Sequence, residues 1–164
     1  MIFGFGLLLA IGIVAMKREQ EKEALKKREE ELKMAYAPLL SKFCAFLDAG
    51  MSIRSVWSKI SKDYRAKSAK ERRKKVYLYE EMCVAMNEIE SGRTEAAAYS
   101  DFARRTGLHC YVKFANLLSE SLRQGVSGLR NALNEEVEDA LEERKNMALK
   151  KGEEAEQNSF SRCY

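Results

Sequence analysis

The chain of 164 residues has few of the side chains on which catalytic and metal sites depend. It contains one histidine, one proline and one tryptophan. Its four cysteines are far apart and form no C-x-x-C pair, which excludes the spacing of zinc knuckles and thioredoxin-like redox sites. The motifs G-x-x-x-x-G-K-[ST], G-x-G-x-x-G, H-E-x-x-H and G-x-S-x-G are also missing from the sequence. We therefore predict no catalytic, metal or cofactor-binding residues and a protein that is not an enzyme.

Two features still raise chemical alternatives. His109 is next to Cys110, as in a Cys/His nucleophile or a metal site, but neighbouring helical residues point about 100° apart, so a histidine at the tip of a helix is favoured. Acidic residues crowd the last predicted helix, yet a dimetal carboxylate bundle needs Glu-x-x-His motifs that the chain lacks, so we expect a solvated face. These acidic residues are Glu135, Glu136, Glu138, Asp139, Glu142 and Glu143. For the thiols of Cys44, Cys83 and Cys110 we expect a reduced, buried state.

The N-terminus is an uninterrupted apolar run at 2–15, followed by Lys17, Arg18 and a segment of alternating charge. As a helix the run measures about 22 Å, which is short for a hydrocarbon core of about 30 Å. A cleaved signal peptide is the alternative, but no basic segment precedes the run and no A-x-A-like site follows it. We predict a short membrane anchor at 1–16 and a charged juxtamembrane helix at 17–35. Basic residues after a span favour a cytoplasmic location for the rest of the chain.

Beyond this segment, apolar residues recur at helical spacing, and no window alternates in the two-residue pattern of a strand. Pro38 is expected in the first turn of a helix, while Ser52 and Thr94 are expected N-caps. The predicted fold class is all-α: an antiparallel bundle of about six helices at 36–157, preceded by the N-terminal anchoring helix and followed by a polar tail at 158–164. Residues predicted to lie in its interior are Phe43, Trp57, Tyr79, Met86, Leu118 and Leu133.

A basic block at 59–75 carries nine basic and two acidic residues, with an expected loop at 66–69. A solvated loop, a contact with a partner or anionic lipid, and a nucleic-acid contact are three interpretations of it. Nucleic acid is the least favoured, because the block lacks interleaved aromatic residues and any reader motif. The predicted partner contact consists of Arg72, Arg73, Lys74 and Lys75.

Several short strings follow one another with a characteristic order and separation. They are LDAGMSI at 47–53, EIESG at 88–92, EAAAY at 95–99, FARRTGL at 102–108, RQG at 123–125 and GEEA at 152–155. In these strings the chain resembles the cytoplasmic domain of the type II secretion system F protein family, especially the TadC-like platform proteins of pilus assembly. The likeness extends over about 35–155, and it implies turns at Ala49, Gly50, Gly92, Gly107, Gly125 and Gly152.

The resemblance implies a non-enzymatic platform in a bacterial inner membrane, with its main domain in the cytoplasm. It implies no cofactor, and as partners a secretion or pilus assembly ATPase, other platform or pilin-like membrane proteins, and further copies of the chain; no nucleic acid is expected. Family members continue into further membrane helices after the GEEA string, whereas this sequence ends in polar residues, so a fragment is one interpretation. The alternative function is a membrane-tethered helical module that binds nucleic acid or lipid headgroups through the basic block.

Overall fold

The protein is all-α in the part of the chain that the computed structural model describes. This part comprises the backbone of residues 2–71, 76–126 and 128–160, and the side chains of 17–69, 76–126, 128–150 and 152–153. No strand occurs among these residues. The helices are α1 (Ile2–Asp48), α2 (Ile53–Glu71), α3 (Tyr77–Glu90), α4 (Glu95–Thr106), α5 (His109–Gln124) and α6 (Leu129–Phe160).

The helices form a bundle in which each one packs on the next in sequence. The last helix, α6, returns to pack extensively on α1, and α3 also contacts α1. Short turns between consecutive helices favour this arrangement, because they leave little chain for any other connection. The prediction of a helical bundle is therefore confirmed.

The centre of the bundle is aromatic and surrounds Trp57. Its ring stacks on Tyr99 with centroids 4.6 Å apart and meets Phe102 edge-on at 5.0 Å. The indole Nε1 donates a hydrogen bond to the carbonyl oxygen of Met82 at 3.0 Å, so the polar atom of the buried ring is satisfied. Of the six residues predicted to be interior, five are buried, and Tyr79 is half-buried and stacks on Tyr64.

The predicted N-caps are confirmed. The hydroxyl oxygen of Ser52 accepts a hydrogen bond from the backbone N–H of Ser55 at 3.3 Å at the start of α2. At the start of α4, Thr94 accepts one from the N–H of Ala97 at 3.4 Å. Each bond satisfies a backbone donor that has no partner within the first turn of a helix.

Pro38 does not begin a helix, as was predicted, but lies inside α1. The predicted juxtamembrane segment and the first bundle helix are therefore one helix. Leu32, Tyr36, Leu39 and Phe43 are all buried and share one face of it. Burial of this continuous face offsets the cost of about 3 kcal/mol that an internal proline imposes.

Two further boundaries differ from the prediction. Residues 66–69 belong to α2 rather than to a loop, because Tyr64 and Arg65 fasten this part of α2 to α3. The hydroxyl of Tyr64 donates to the Glu80 carboxylate at 2.7 Å, and the guanidinium of Arg65 donates to the carbonyl of Cys83 at 3.2 Å. At the other end, α6 continues through 160 into the predicted tail, of which 161–164 lie outside the described residues.

The predicted membrane anchor stays a prediction. Its backbone at 2–16 is the beginning of α1, while its side chains are outside the described set. Among the residues that are described, no helix contains a stretch long and apolar enough to cross a bilayer.

Candidate interaction surface and the polar contacts behind it

Four of the predicted turn glycines end helices in the left-handed region. Their φ angles are +85° at Gly50, +97° at Gly92, +73° at Gly107 and +91° at Gly125. At Gly92 the chain closes with hydrogen bonds from Gly92 N–H to the carbonyl of Ile89 and from Arg93 N–H to the carbonyl of Glu88, at 3.1 and 3.0 Å. This pattern is a Schellman motif, in which glycine adopts a conformation that strains other residues. Ala49 lies in the turn before Gly50, as predicted.

Gly152 is not a turn residue, contrary to the prediction. It lies within α6, exposed, and a methyl group added to it would touch nothing within 4 Å. Its neighbours Lys150 and Glu153 are good helix formers, and a single internal glycine costs only about 1 kcal/mol relative to alanine. Helix α6 therefore passes through this position.

The strings at 88–92 and 102–108 meet through an ion-pair seam between α3 and α4. The Nε of Arg105 lies 2.6 Å from a carboxylate oxygen of Glu81, and its Nη1 lies 3.0 Å from one of Glu88. The side chain of Arg105 is 27% exposed, and those of the two glutamates are less so. Two buried atoms, Nη2 of Arg105 and Oε2 of Glu88, have no hydrogen-bond partner among the described residues. Ion pairs therefore hold the seam together, while the hydrogen-bonding capacity of its buried polar atoms is only partly satisfied.

Helix α1 joins this seam through Arg28 and Glu31. The Nη2 of Arg28 donates to the carbonyl oxygen of Arg105 at 2.6 Å, and its guanidinium lies 3.6 Å from the ring centroid of Tyr77. Glu31 accepts a hydrogen bond from the backbone N–H of Tyr77 at 2.7 Å. Burial, together with the hydrogen bond to the Glu81 carboxylate, raises the pKa of Tyr77 to about 12. The long N-terminal helix is therefore linked to α3 and α4 at the start of the bundle.

A second ion-pair cluster surrounds Asp101, which is 7% exposed. Its carboxylate contacts the guanidinium of Arg93 and lies 2.7 Å from Nη2 of Arg104. Arg93 directly follows the EIESG string. Asp101 directly precedes FARRTGL, and Arg104 belongs to it. Residues that border the same two strings are therefore also joined by charge.

Glu136 was predicted to lie on a solvated face, but it is 6% exposed. Its carboxylate accepts a hydrogen bond from the hydroxyl of Tyr36 at 3.1 Å and forms an ion pair with Lys113. It therefore joins α1, α5 and α6, and it is the exception among the acidic residues predicted to be exposed. Helical spacing gives the signal that was missed, because Glu136 shares the face of Leu129, Leu133 and Ala140, which are buried.

The described part of the basic block forms an exposed face of α2. Lys59, Lys62 and Lys67 are exposed there, and Lys59 Nζ lies 3.5 Å from the carboxylate of Asp63. Next to this face is an open groove of about 530 Å³ between α2 and α3. The predicted contact residues Arg72, Arg73, Lys74 and Lys75 lie outside the described residues.

The candidate reactive residues do not come together. His109 is exposed at the first position of α5, as expected for a residue at the tip of a helix. Burial raises the pKa of the neighbouring Cys110 thiol to about 11, so it is protonated and weakly nucleophilic at neutral pH. Cys44 and Cys83 are free and buried, as predicted, while Cys110 is half-buried. In the described ranges no group of three or more His, Cys, Asp or Glu residues is placed to hold a metal ion.

Comparison of the chain with models of protein families, with curated proteins and with solved structures finds no match.

Proposed function

We propose that this protein is a non-enzymatic platform component of a bacterial type II secretion or type IV/Tad-like pilus assembly system. Its N-terminal run anchors it in the inner membrane, and its helical bundle lies in the cytoplasm. There the bundle couples an assembly ATPase to the assembly of pilin-like subunits through contacts between proteins. The proposal rests on the resemblance in the short strings. The comparisons with known proteins add nothing to it.

The observation that carries the proposal is the meeting of two of those strings. Arg105 from FARRTGL pairs with Glu88 from EIESG, and Gly92 and Gly107 end the helices on which these residues lie. A resemblance by chance would not require residues of separate strings to contact one another. Their pairing gives the strings a shared structural purpose, which is to fix α3 against α4.

The continuity of α1 gives the proposal a mechanical element. One helix runs from the apolar N-terminus to Asp48, and Arg28 and Glu31 attach it to the seam between α3 and α4. A force applied to the bundle by a motor protein can therefore pass into α1 through charged contacts rather than through a flexible linker. This is the property that a platform between a cytoplasmic ATPase and a membrane needs.

The first experiment is fractionation of cells that express the full chain. The platform role predicts that the chain pellets with membranes at low salt and resists a high-salt wash. A chain that stays in the supernatant contradicts the anchor. Genes for a secretion ATPase and prepilin-like proteins beside this one are expected, and their absence contradicts the assignment to a secretion or pilus system.

The second experiment tests the motor contact through the four residues 72–75. Reversal of all four to glutamate should leave the melting temperature almost unchanged, since single charges on a protein surface contribute little to its stability. It should slow association with the neighbouring ATPase and flatten the salt dependence of the rate. A control with Arg123, Lys145 and Lys150 reversed, all exposed, should behave as the parent. Equal rates across a salt series for parent and variant exclude this contact.

The alternative of a nucleic-acid or lipid-headgroup module is favoured by one observation, the exposed lysines of α2. Nucleic-acid affinity should fall steeply as salt rises, because phosphate contacts release counterions. Binding of an unspecific duplex or of anionic vesicles by the full chain at low salt, lost on reversal of Lys59, Lys62 and Lys67, supports the alternative. No binding at low salt removes it.

A further inference from the structure

Helix α6 has an outward face that carries only negative charge over nine residues. Its members are exposed and follow the spacing i, i+3, i+4, i+7 and i+8, which places them on one side of a helix. They are Glu135, Glu138, Asp139, Glu142 and Glu143, which we call the acidic face. Among the described side chains none of the five forms an ion pair; Glu143 interacts with Lys33, and Glu135 and Asp139 with Lys113, only at longer range.

This lack of pairing is not general in the molecule. In α1, Glu29 and Lys33 pair at 2.7 Å, and Glu19 and Lys22 lie 3.8 Å apart, both at helical spacing. Like charges three or four residues apart on a helix destabilise it, whereas opposite charges stabilise it. Within the acidic face the neighbours three and four residues apart are all of like charge, and a cationic partner from outside would reduce their repulsion.

The chain itself presents a cationic face with the same dimensions. Lys59, Lys62 and Lys67 lie exposed on α2 at i, i+3 and i+8, and we call them the basic face. Both faces cover a helical length of about 12 Å. Lys62 and Lys67 have no ion-pair partner among the described side chains, and Lys59 pairs only with Asp63.

We propose that the acidic face of one copy of the chain docks on the basic face of a second copy. The charges are complementary, and the two faces have the same length along their helices. Helix α2 packs on α1 and α3, while α6 packs on α1 and α5, so one molecule presents both faces. The proposal does not depend on the platform role.

The test uses full chains that carry a donor or an acceptor dye at the C-terminus, in nonionic detergent, with energy transfer as the readout. The parent should associate, and its dissociation constant should rise as salt goes from about 50 to about 500 mM, where screening becomes strong. The variant Lys59→Glu/Lys62→Glu/Lys67→Glu should weaken association about tenfold or more. The variant Glu135→Lys/Glu138→Lys/Glu142→Lys should do the same. Circular dichroism checks that each variant keeps its helicity.

An equimolar mixture of the two variants is the decisive arm. Each partner then offers the charge that the other lacks, so association should return to near the parental strength. A control with Lys22, Lys26 and Lys27 reversed to glutamate changes the net charge equally at exposed positions of α1 and should associate as the parent. A parent that does not associate, variants that associate unchanged, a mixture that is not restored, or a control that is equally weakened would each overturn the proposal. No ATPase is present, so failure here leaves the platform role standing.

Discussion

The aromatic centre around Trp57 and the ion-pair seam around Arg105 both hold helices together, but by different physics. Trp57 is fully buried, its ring contacts are apolar and its single polar atom is bonded. Arg105 is partly exposed and charged, and one of its buried nitrogens has no hydrogen-bond partner among the described side chains. Apolar burial is nondirectional and additive with area, whereas a buried ion pair must recover the cost of desolvating its charges. The centre should therefore dominate stability, and the seam should mainly fix geometry.

The largest expected effect is that of Trp57→Ala. Loss of the stacked and edge-on contacts leaves a cavity in a region with no solvent, and we expect the free energy of unfolding to fall by about 3–5 kcal/mol. Trp57→Phe keeps most of the volume and loses the bond to Met82, so it should cost clearly less. Urea unfolding followed by circular dichroism measures both. Equal losses for the two variants contradict the view that cavity formation is the main cost.

A smaller effect is expected at the seam. Arg105→Ala removes both ion pairs and leaves Glu81 and Glu88 together without their cation, which should cost about 2–3 kcal/mol. Its neighbour Arg104 is the comparison, because it is the same residue type in the same helix with 79% of its side chain exposed, and its partner Asp101 keeps the ion pair with Arg93 when Arg104 is removed. Arg104→Ala should cost about 1 kcal/mol or less. If Arg104→Ala proves as costly as Arg105→Ala, the distinction between the seam and the surface fails.

The two regions also differ in how far they could be predicted from sequence. The core positions Phe43, Trp57 and Leu118 follow from helical periodicity, because burial depends on which side of a helix a residue occupies. The pairing of Arg105 with Glu88 depends on how α3 and α4 pack, and no local pattern fixes that. Glu136 was assigned to a solvated face for a different reason: its charge was given more weight than its position on the apolar side of α6.

Local signals also failed where tertiary contacts override them. Pro38 predicts a helix start and residues 66–69 a loop, but burial on one side of α1 and the bonds of Tyr64 and Arg65 extend both helices. The glycines that end helices were predicted well, because a left-handed residue is needed at each of those turns. Gly152 is also a glycine, but it lies inside α6, where no left-handed residue is needed. The sequence alone does not distinguish a glycine that ends a helix from one inside a helix.

The pH dependence of the free energy of unfolding should reveal the half-buried thiol of Cys110, whose backbone carbonyl accepts a hydrogen bond from Tyr36. The pKa of Cys110 is raised from 9.0 to about 11 in the folded state, mainly by burial. Its contribution to the free energy of unfolding is therefore complete below about pH 9 and is lost as the pH rises toward 11. Parent and Cys110→Ser should be compared by urea unfolding across this range. The serine variant should lose stability less steeply, and identical slopes would show that the thiol does not titrate differently on folding.

The smallest expected effects come from two glycines that differ only in backbone conformation. Gly107 ends α4 at φ +73°, and Gly152 lies inside α6, and at each position an added methyl group meets nothing within 4 Å. Contacts therefore predict no difference between them. Gly107→Ala should lower the free energy of unfolding by about 1 kcal/mol, because the left-handed region disfavours any residue with a β-carbon. Gly152→Ala should instead raise helix stability by up to about 1 kcal/mol, because glycine loses more entropy in a helix. Thermal unfolding of the two variants should give shifts of opposite sign, and shifts of the same sign would mean that conformation does not decide the outcome at these positions.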